Sequence, residues 1–396
     1  MSKSITNNQQ SLLRGVTAGL FALMLAVFAM PAQAQMDDGE LPKIDFSVNL
    51  MQSAQYIDID GTSDPVMGFH AARAGVNANV QFSENVSGLL MLESEPNDFG
   101  GASPAAQFQP QVDFFVLNLQ VTDQLTVQTG TPVTGLINFR GFSDGPAVQG
   151  NPLIGNSPAD MITAGQGVKL IGSYPSFGFD LTLNRGFGED LTTPGGGNTG
   201  TNIIGKVRYT GADIFKVGGG IAFATGQDDL VFANGDRENY NLNLPGQAGG
   251  INSKNTHADI PGGGWIGQVD GKIAPGNGLG VDLWAGYASD SDVDAAAVFG
   301  GIGAKFDIND DFYVAGRFTA VSDQGDAVDD APNDPDALLT RIQGGIGYEV
   351  YDKALLKVAG FTQSHGDTIT GGSNPVTRPA PADSFTGVLT ELSFNF

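Results

Sequence analysis

The sequence predicts an all-β protein: a transmembrane, antiparallel, up-and-down β-barrel of sixteen strands, with short turns at one rim and long loops at the other. Three observations carry that expectation. Apolar and polar residues alternate along most of the chain, many runs reaching about ten residues, the length at which a tilted strand crosses a bilayer. The connections between runs alternate between short and long. The chain also ends on an alternating strand whose last residue is Phe396, where chain ends ordinarily fray.

Residues 1–34 precede the barrel and read as a secretion signal. Lys3 and Arg14 make a basic start, Val16 to Met30 an apolar run, and Ala32-Gln33-Ala34 a small-residue cleavage site. At about fifteen residues the run falls short of the roughly twenty that a spanning helix needs. The expected mature unit is 35–396. Removing Lys3 and Arg14 takes the formal charge from −24 to −26, which argues against nucleic acid as a partner. The chain has no cysteine, so no disulfide can stabilise it after export. With 57 glycines and only 16% charged residues, it resembles neither a disordered acidic chain nor a helical enzyme.

The strands follow in order. Ile44, Phe46, Val48 and Leu50 alternate with Asp45, Ser47 and Asn49; Ala74 to Phe82 repeat the pattern; Phe115 to Val121 follow. It returns at Val207-Tyr209, Phe215 to Phe223, Trp265 to Val269, Leu279 to Tyr287, Ile302 to Phe306, Phe312 to Phe318, Ile342 to Tyr348 and Val388 to Phe396. Short polar turns sit at Ser83-Glu84-Asn85, Thr122-Asp123-Gln124, Tyr174-Pro175-Ser176, Gly211-Ala212-Asp213, Ala274-Pro275-Gly276-Asn277, Asn309-Asp310-Asp311 and Val350-Tyr351-Asp352. Between them lie eight long segments: 57–67, 96–110, 132–163, 188–200, 225–261, 289–296, 322–337 and 364–384. Seven turns and eight loops connect sixteen strands. Lipid cannot hydrogen-bond an open strand edge, so the first strand is expected to pair with the last.

Together the signal segment, the strand count and the terminal strand resemble those of the bacterial outer-membrane porins, over nearly the whole mature chain. Val388, Leu392, Phe394 and Phe396 on one face of the last strand are similar to the signal that the barrel assembly machinery reads. Residues 127–170 also resemble the strand–loop–strand of phosphate-selective-type porins, in the exit through Gly130 and Pro132 and the return into Gly165-Gln166-Gly167. The dense Arg/Lys content of those relatives is missing, so their substrate is not implied. The resemblance implies an outer-membrane location in a Gram-negative bacterium, contact with lipid and lipopolysaccharide, a homotrimer, and passage of small hydrophilic solutes or ions. It also implies that 132–163, carrying Phe139, Arg140, Phe142, Asp144 and Ile154, folds inward as a constriction, with Arg140 and Asp144 facing the lumen.

Sixteen strands enclose an aqueous channel, and the polar residue of each alternating pair is expected to line it. The inward bases on this register are Arg73, Lys169, Lys206, Arg208, Lys216, Lys272, Lys305, Arg317, Arg341 and Lys357. The inward acids are Asp45, Glu93, Asp113, Asp180, Asp270, Asp282, Asp307, Glu349 and Glu391. The surplus acid lies in the long loops, notably Asp323, Asp326, Asp329, Asp330, Asp334 and Asp336, and predicts a mild cation preference. Such carboxylates are candidate Ca²⁺ or Mg²⁺ ligands, although no loop has full calcium-hand spacing; a solvated acidic surface is the simpler expectation, and no cofactor is implied. Outward aromatics such as Phe82, Phe177, Tyr209, Phe215 and Tyr348 are expected at the membrane borders. Small outward residues, among them Gly300, Ala304, Gly316 and Gly344, are candidates for a subunit contact. Catalysis is not expected: His70, His257 and His365 lie at strand ends or in loops, with no paired nucleophile. Passive diffusion is the expected function. A substrate-specific channel and a structural barrel with a blocked lumen are the alternatives.

Overall fold

A computed structural model of the chain describes residues 42–59, 65–94, 111–139, 151–155, 162–164, 167–185, 201–225, 265–290, 295–323, 338–365 and 384–396. The expected signal segment 1–34 lies outside them. The first strands are β1 (Lys43–Ile59), β2 (Val66–Ser83), β3 (Val86–Ser94), β4 (Gln111–Thr122) and β5 (Leu125–Gly130). Two three-residue strands follow, β6 (Val133–Gly135) and β7 (Ile162–Ala164), then β8 (Gly167–Ser173), β9 (Phe177–Arg185), β10 (Thr201–Tyr209) and β11 (Phe215–Thr225). The series continues with β12 (Trp265–Gly276), β13 (Leu279–Asp290), β14 (Ala295–Asp307), β15 (Phe312–Asp323), β16 (Leu338–Tyr351), β17 (Ala354–His365) and β18 (Ser384–Asn395). No helix forms among the described residues.

Sixteen of these strands close into one antiparallel barrel in chain order, with β5 beside β8 and β18 beside β1, while β6 and β7 pair only with each other. The seven short turns connect the strands where the turn residues predict. Asn277 and Lys353 take positive φ values of 56° and 62° in two of them, the left-handed conformation that tight hairpins need. The small β6–β7 ribbon was not legible in the sequence. It begins where Gly130, at φ 115°, turns the chain out of the wall; a β-carbon there would lie 2.1 Å from the Phe115 carbonyl oxygen. Thr131 fixes the bend, its hydroxyl accepting from the Phe115 amide at 2.8 Å and its own amide donating to the Phe115 carbonyl at 2.7 Å.

Closure uses the last residues of the chain. Asn395 to Phe385 pair with Asn49 to Ile59, and Phe396 exchanges two backbone hydrogen bonds with Val48 at 2.8 and 2.9 Å. Phe394 and Phe396 stack on the outer face, with ring centroids 6.0 Å apart.

The two barrel faces differ sharply. Phe46, Val207, Val269 and Ile342 are 58–70% exposed on the outside, an arrangement that hydrocarbon stabilises and water does not. Tyr174 stacks on Phe177 at 4.5 Å near the short-turn rim, and Trp265 meets Tyr287 at 5.3 Å toward the long-loop rim, as interfacial aromatic girdles require. The register also aligns Ala304, Gly316, Gly344 and Gly360 across β14–β17, a low row on the outer surface. Inside stand Asp180, Asp270, Arg317, Arg341, Gln343, Lys357, Gln363 and Glu391, all 7% exposed or less.

Candidate channel and its internal loop

The long connection from β5 to β8 contains two described stretches that touch the inner face at separate places. The first, Leu136 to Phe139, lies against β10–β12. Asp270 of β12 holds it: its carboxylate accepts from the Asn138 amide at 2.8 Å, the Asn138 side chain at 2.7 Å and the Phe139 amide at 3.1 Å. Lys206 donates to the Ile137 carbonyl at 3.4 Å. Glycines make the space, because a β-carbon at Gly218 would lie 2.6 Å from Asn138 Nδ2 and one at Gly220 would lie 3.0 Å from Leu136.

The second stretch, Asn151-Pro152-Leu153-Ile154-Gly155, is a knob closed on itself. The Asn151 side chain donates to the Gly155 carbonyl and accepts from the Leu153 amide, both at 3.2 Å, and Gly155 takes φ 78°. Leu153 and Ile154 pack against Ile57, Ala359, Phe361 and Leu389 from β1, β17 and β18. Three carbonyls of the knob are also held by the wall: Pro152 by the Tyr313 hydroxyl at 3.0 Å, Ile154 by Gln343 at 2.7 Å and Gly155 by Arg317 at 3.0 Å. Two described stretches of one connection thus dock on the inner face at separate places, one on β10–β12 and the other on β1 and β15–β18.

This docking divides the predicted inward bases into two groups. On β15–β17 they are dry. Arg317 bonds Gln343 at 2.7 Å as well as the knob, Arg341 bonds Gln363 at 2.7 Å, and Lys357 is paired with Glu391 at 3.0 Å. These three bases are 1–6% exposed. They stand on the inner face but are buried there, and Arg317 holds the knob through the Gly155 carbonyl. Across the barrel, Asp180 gathers three bases, Arg208 at 2.8 Å and Lys169 and Lys206 at 3.6 Å each. Lys305 stands near the short-turn rim, beside Asp307 at 2.7 Å and over the Tyr313 ring at 4.6 Å.

The remaining expected residues fall as follows. Arg73 occupies the register position opposite Met51. Arg140 and Asp144 lie outside the described residues, as do Asp326, Asp329 and Asp330; Asp323 ends β15 opposite Ala297. Leu392 and Phe394 stand on the outer register of β18, with Phe396 beyond its end, while Glu391 and Ser393 are buried within. Sequence reasoning missed the positioning groups: the anchoring role of Asp270, and Gln343, Gln363 and Asn151. Only the Asn151-Pro152 pair and Gly155 carried a local signal, that of a turn.

No protein-family model and no curated protein matches the sequence. Solved structures do match the fold. The in-vitro folded OmpT, an outer membrane protein of Vibrio cholerae, superimposes with TM-score 0.55 at 16% identity over 92% of this chain and all of its own. The outer membrane channel DcaP of Acinetobacter baumannii gives 0.56 at 12% identity, over 89% of this chain and 97% of its own. An anion-selective porin from Comamonas acidovorans gives 0.56 at 13% identity, over 89% and 99%. This chain therefore has the fold of outer-membrane porins and channels.

Proposed function

We propose that the protein is an outer-membrane porin, a water-filled channel for passive diffusion of small hydrophilic solutes and ions. One observation carries the reading: a loop docked at two points across the inside of a closed sixteen-strand barrel whose outer face suits lipid. Such a loop narrows the lumen without a moving part, and width then sets the size of solute that passes. The reading includes export on the 1–34 segment with cleavage near Ala34, insertion guided by Leu392, Phe394 and Phe396, and contact with lipopolysaccharide at the long-loop rim. It also includes a homotrimer, supported by the low outer row from Ala304 to Gly360; one of the Vibrio cholerae structures is of a trimer form.

The test is conductance of the purified protein in planar bilayers. Steps of current are expected, and deletion of 138–150 should enlarge them. Unchanged conductance after the deletion removes the constriction. A folded barrel that passes no current would be a structural barrel with a blocked lumen.

A further inference from the structure

We propose that the inner wall of β2–β5 carries a belt of amide and hydroxyl side chains that binds uncharged polyhydroxylated solutes, sugars or sugar alcohols, and gives the channel a preference for them. The proposal rests on the porin reading above and names a solute class for it. It comes from a row of side chains that the barrel register lines up. Gln81 of β2 stands opposite Ser87 of β3, Ser87 opposite Asn118 of β4, and Asn118 opposite Gln128 of β5.

The two docked stretches of the internal loop lie against β10–β12 and against β1 and β15–β18, and β2–β5 belong to the wider arc of wall between those contacts. Gln81, Ser87, Asn118 and Gln128 are half-buried there, while Asn79 and Gln120 on the same face are exposed. All six are uncharged, and the row is held by its own members. Gln128 Nε2 donates to Asn118 Oδ1 at 2.9 Å, and Asn118 Nδ2 donates to the Ser87 hydroxyl oxygen at 3.4 Å. Gln81 Nε2 donates to the backbone carbonyls of Ser83 and, at 3.4 Å, of Val86. The bonds from Gln128 and Asn118 both run toward β3, and bonds in such a chain polarise one another. Each amide also has a second N–H and each oxygen a second lone pair. The belt therefore presents donors and acceptors side by side at the strand spacing of about 4.8 Å, over a strip about 14 Å long.

Toward β1 the same chemistry is left unspent. Asn77 donates to the Ser47 hydroxyl at 3.2 Å, but Asn77 Oδ1 and Asn49 Nδ2 have no hydrogen-bond partner among the described residues, in side chains only 3% and 7% exposed. Asn49 lies across Gly75, where a β-carbon would fall 2.9 Å from its Oδ1, and Gly75 is two residues from Asn77 on the same face. An acceptor beside a donor is the pair that one hydroxyl group satisfies, donating to the first and accepting from the second. The absence of charge along the belt decides the solute class. An ion would exchange its water for neutral dipoles without a countercharge, whereas a hydroxyl exchanges its bonds to water for bonds of the same kind. Several such bonds together hold a polyol, yet each is weak enough to release it, as conduction requires.

The full-length protein in planar bilayers tests this, with sucrose as the probe and a polyethylene glycol of matched size as the control, since ether oxygens accept hydrogen bonds but do not donate them. Sucrose should lower the single-channel potassium chloride current in a saturable way, and the polyethylene glycol only in proportion to its concentration. The double substitution Asn118→Ala/Gln128→Ala should raise the half-blocking sucrose concentration about tenfold, the loss of about two neutral hydrogen bonds, with the sugar-free conductance retained. Gln120→Ala, at an exposed position of the same face, should raise it about threefold and decides the matter if the double variant does not fold. No saturable block by sucrose, equal block by the polyethylene glycol, or a block unmoved by both variants overturns the belt and leaves the porin standing. A folded wild-type barrel without current overturns both.

Discussion

Replacing Asp270 by alanine should release one end of the internal loop. The carboxylate accepts three hydrogen bonds from Asn138 and Phe139, and it is 6% exposed. Bonds to a charged acceptor are worth about 1.5–3 kcal/mol each when nothing replaces them. Asn138 and Phe139 are partly exposed, so water can take up the released donors, and about 1 kcal/mol each is the fairer figure. The anchored form then loses about 3 kcal/mol, more than a hundredfold in its ratio to the released form, at 1.4 kcal/mol per tenfold. The far end stays docked, because burying Leu153 and Ile154 contributes about 1.5–3 kcal/mol for each side chain. The loop should consequently pivot about its knob rather than leave the lumen. Single-channel recording should show larger and noisier open current, with rapid flicker absent from the wild type. Gly218→Val approaches the same contact from the other side, placing a β-carbon 2.6 Å from Asn138 Nδ2, and should give the same flicker without altering charge. If both variants conduct with wild-type amplitude and noise, Asp270 does not hold the loop in the ion path and the two-point docking is wrong.

Three further outcomes follow from the wall itself. Deleting Phe396 removes two backbone hydrogen bonds to Val48 and the stack on Phe394; the folded fraction, read by heat-modifiable migration, should drop while surviving channels conduct normally. Lys357→Met leaves Glu391 as a lone buried carboxylate and should cost about 3–5 kcal/mol in urea unfolding; the double change Lys357→Met/Glu391→Leu should recover most of that loss. Gly130→Ala sets a side chain at φ 115° against the Phe115 carbonyl and should cost on the order of 1–3 kcal/mol, with an altered conductance because the loop leaves the wall there.

The parts of this fold that are local were legible in the residues. Val207, Tyr209, Phe215 and Val217 announce their face by period two, and Asn309 announces its turn by the side chain that caps it, accepting from the amides of Asp311 and Phe312. Register followed because each short turn fixes it. What was not legible depends on partners far along the chain. Nothing near Asp270 marks it as the anchor of a segment 132 residues earlier. Arg317, Arg341 and Lys357 could be placed on the inner side by alternation, but their burial depends on partners such as Gln343, Gln363, Glu391 and, for Arg317, the docked knob. The sequence pattern cannot distinguish a wet inner wall from a sealed one, since both are polar residues at every second position.

Pairing the first strand with the last has a consequence for how the molecule comes into being. Lys43–Ile59 cannot complete its hydrogen bonds until Ser384–Asn395 exists beside it. Until then a growing sheet carries two raw margins, each able to capture a foreign strand, and neither can rest in hydrocarbon. Assembly must either finish in one concerted step or be escorted by something that lends its own edge to the unfinished sheet. Seen this way, the terminal phenylalanine completes a seam, and its hydrogen bonds to Val48 are the last stitches that let the ring stand unaided in the bilayer.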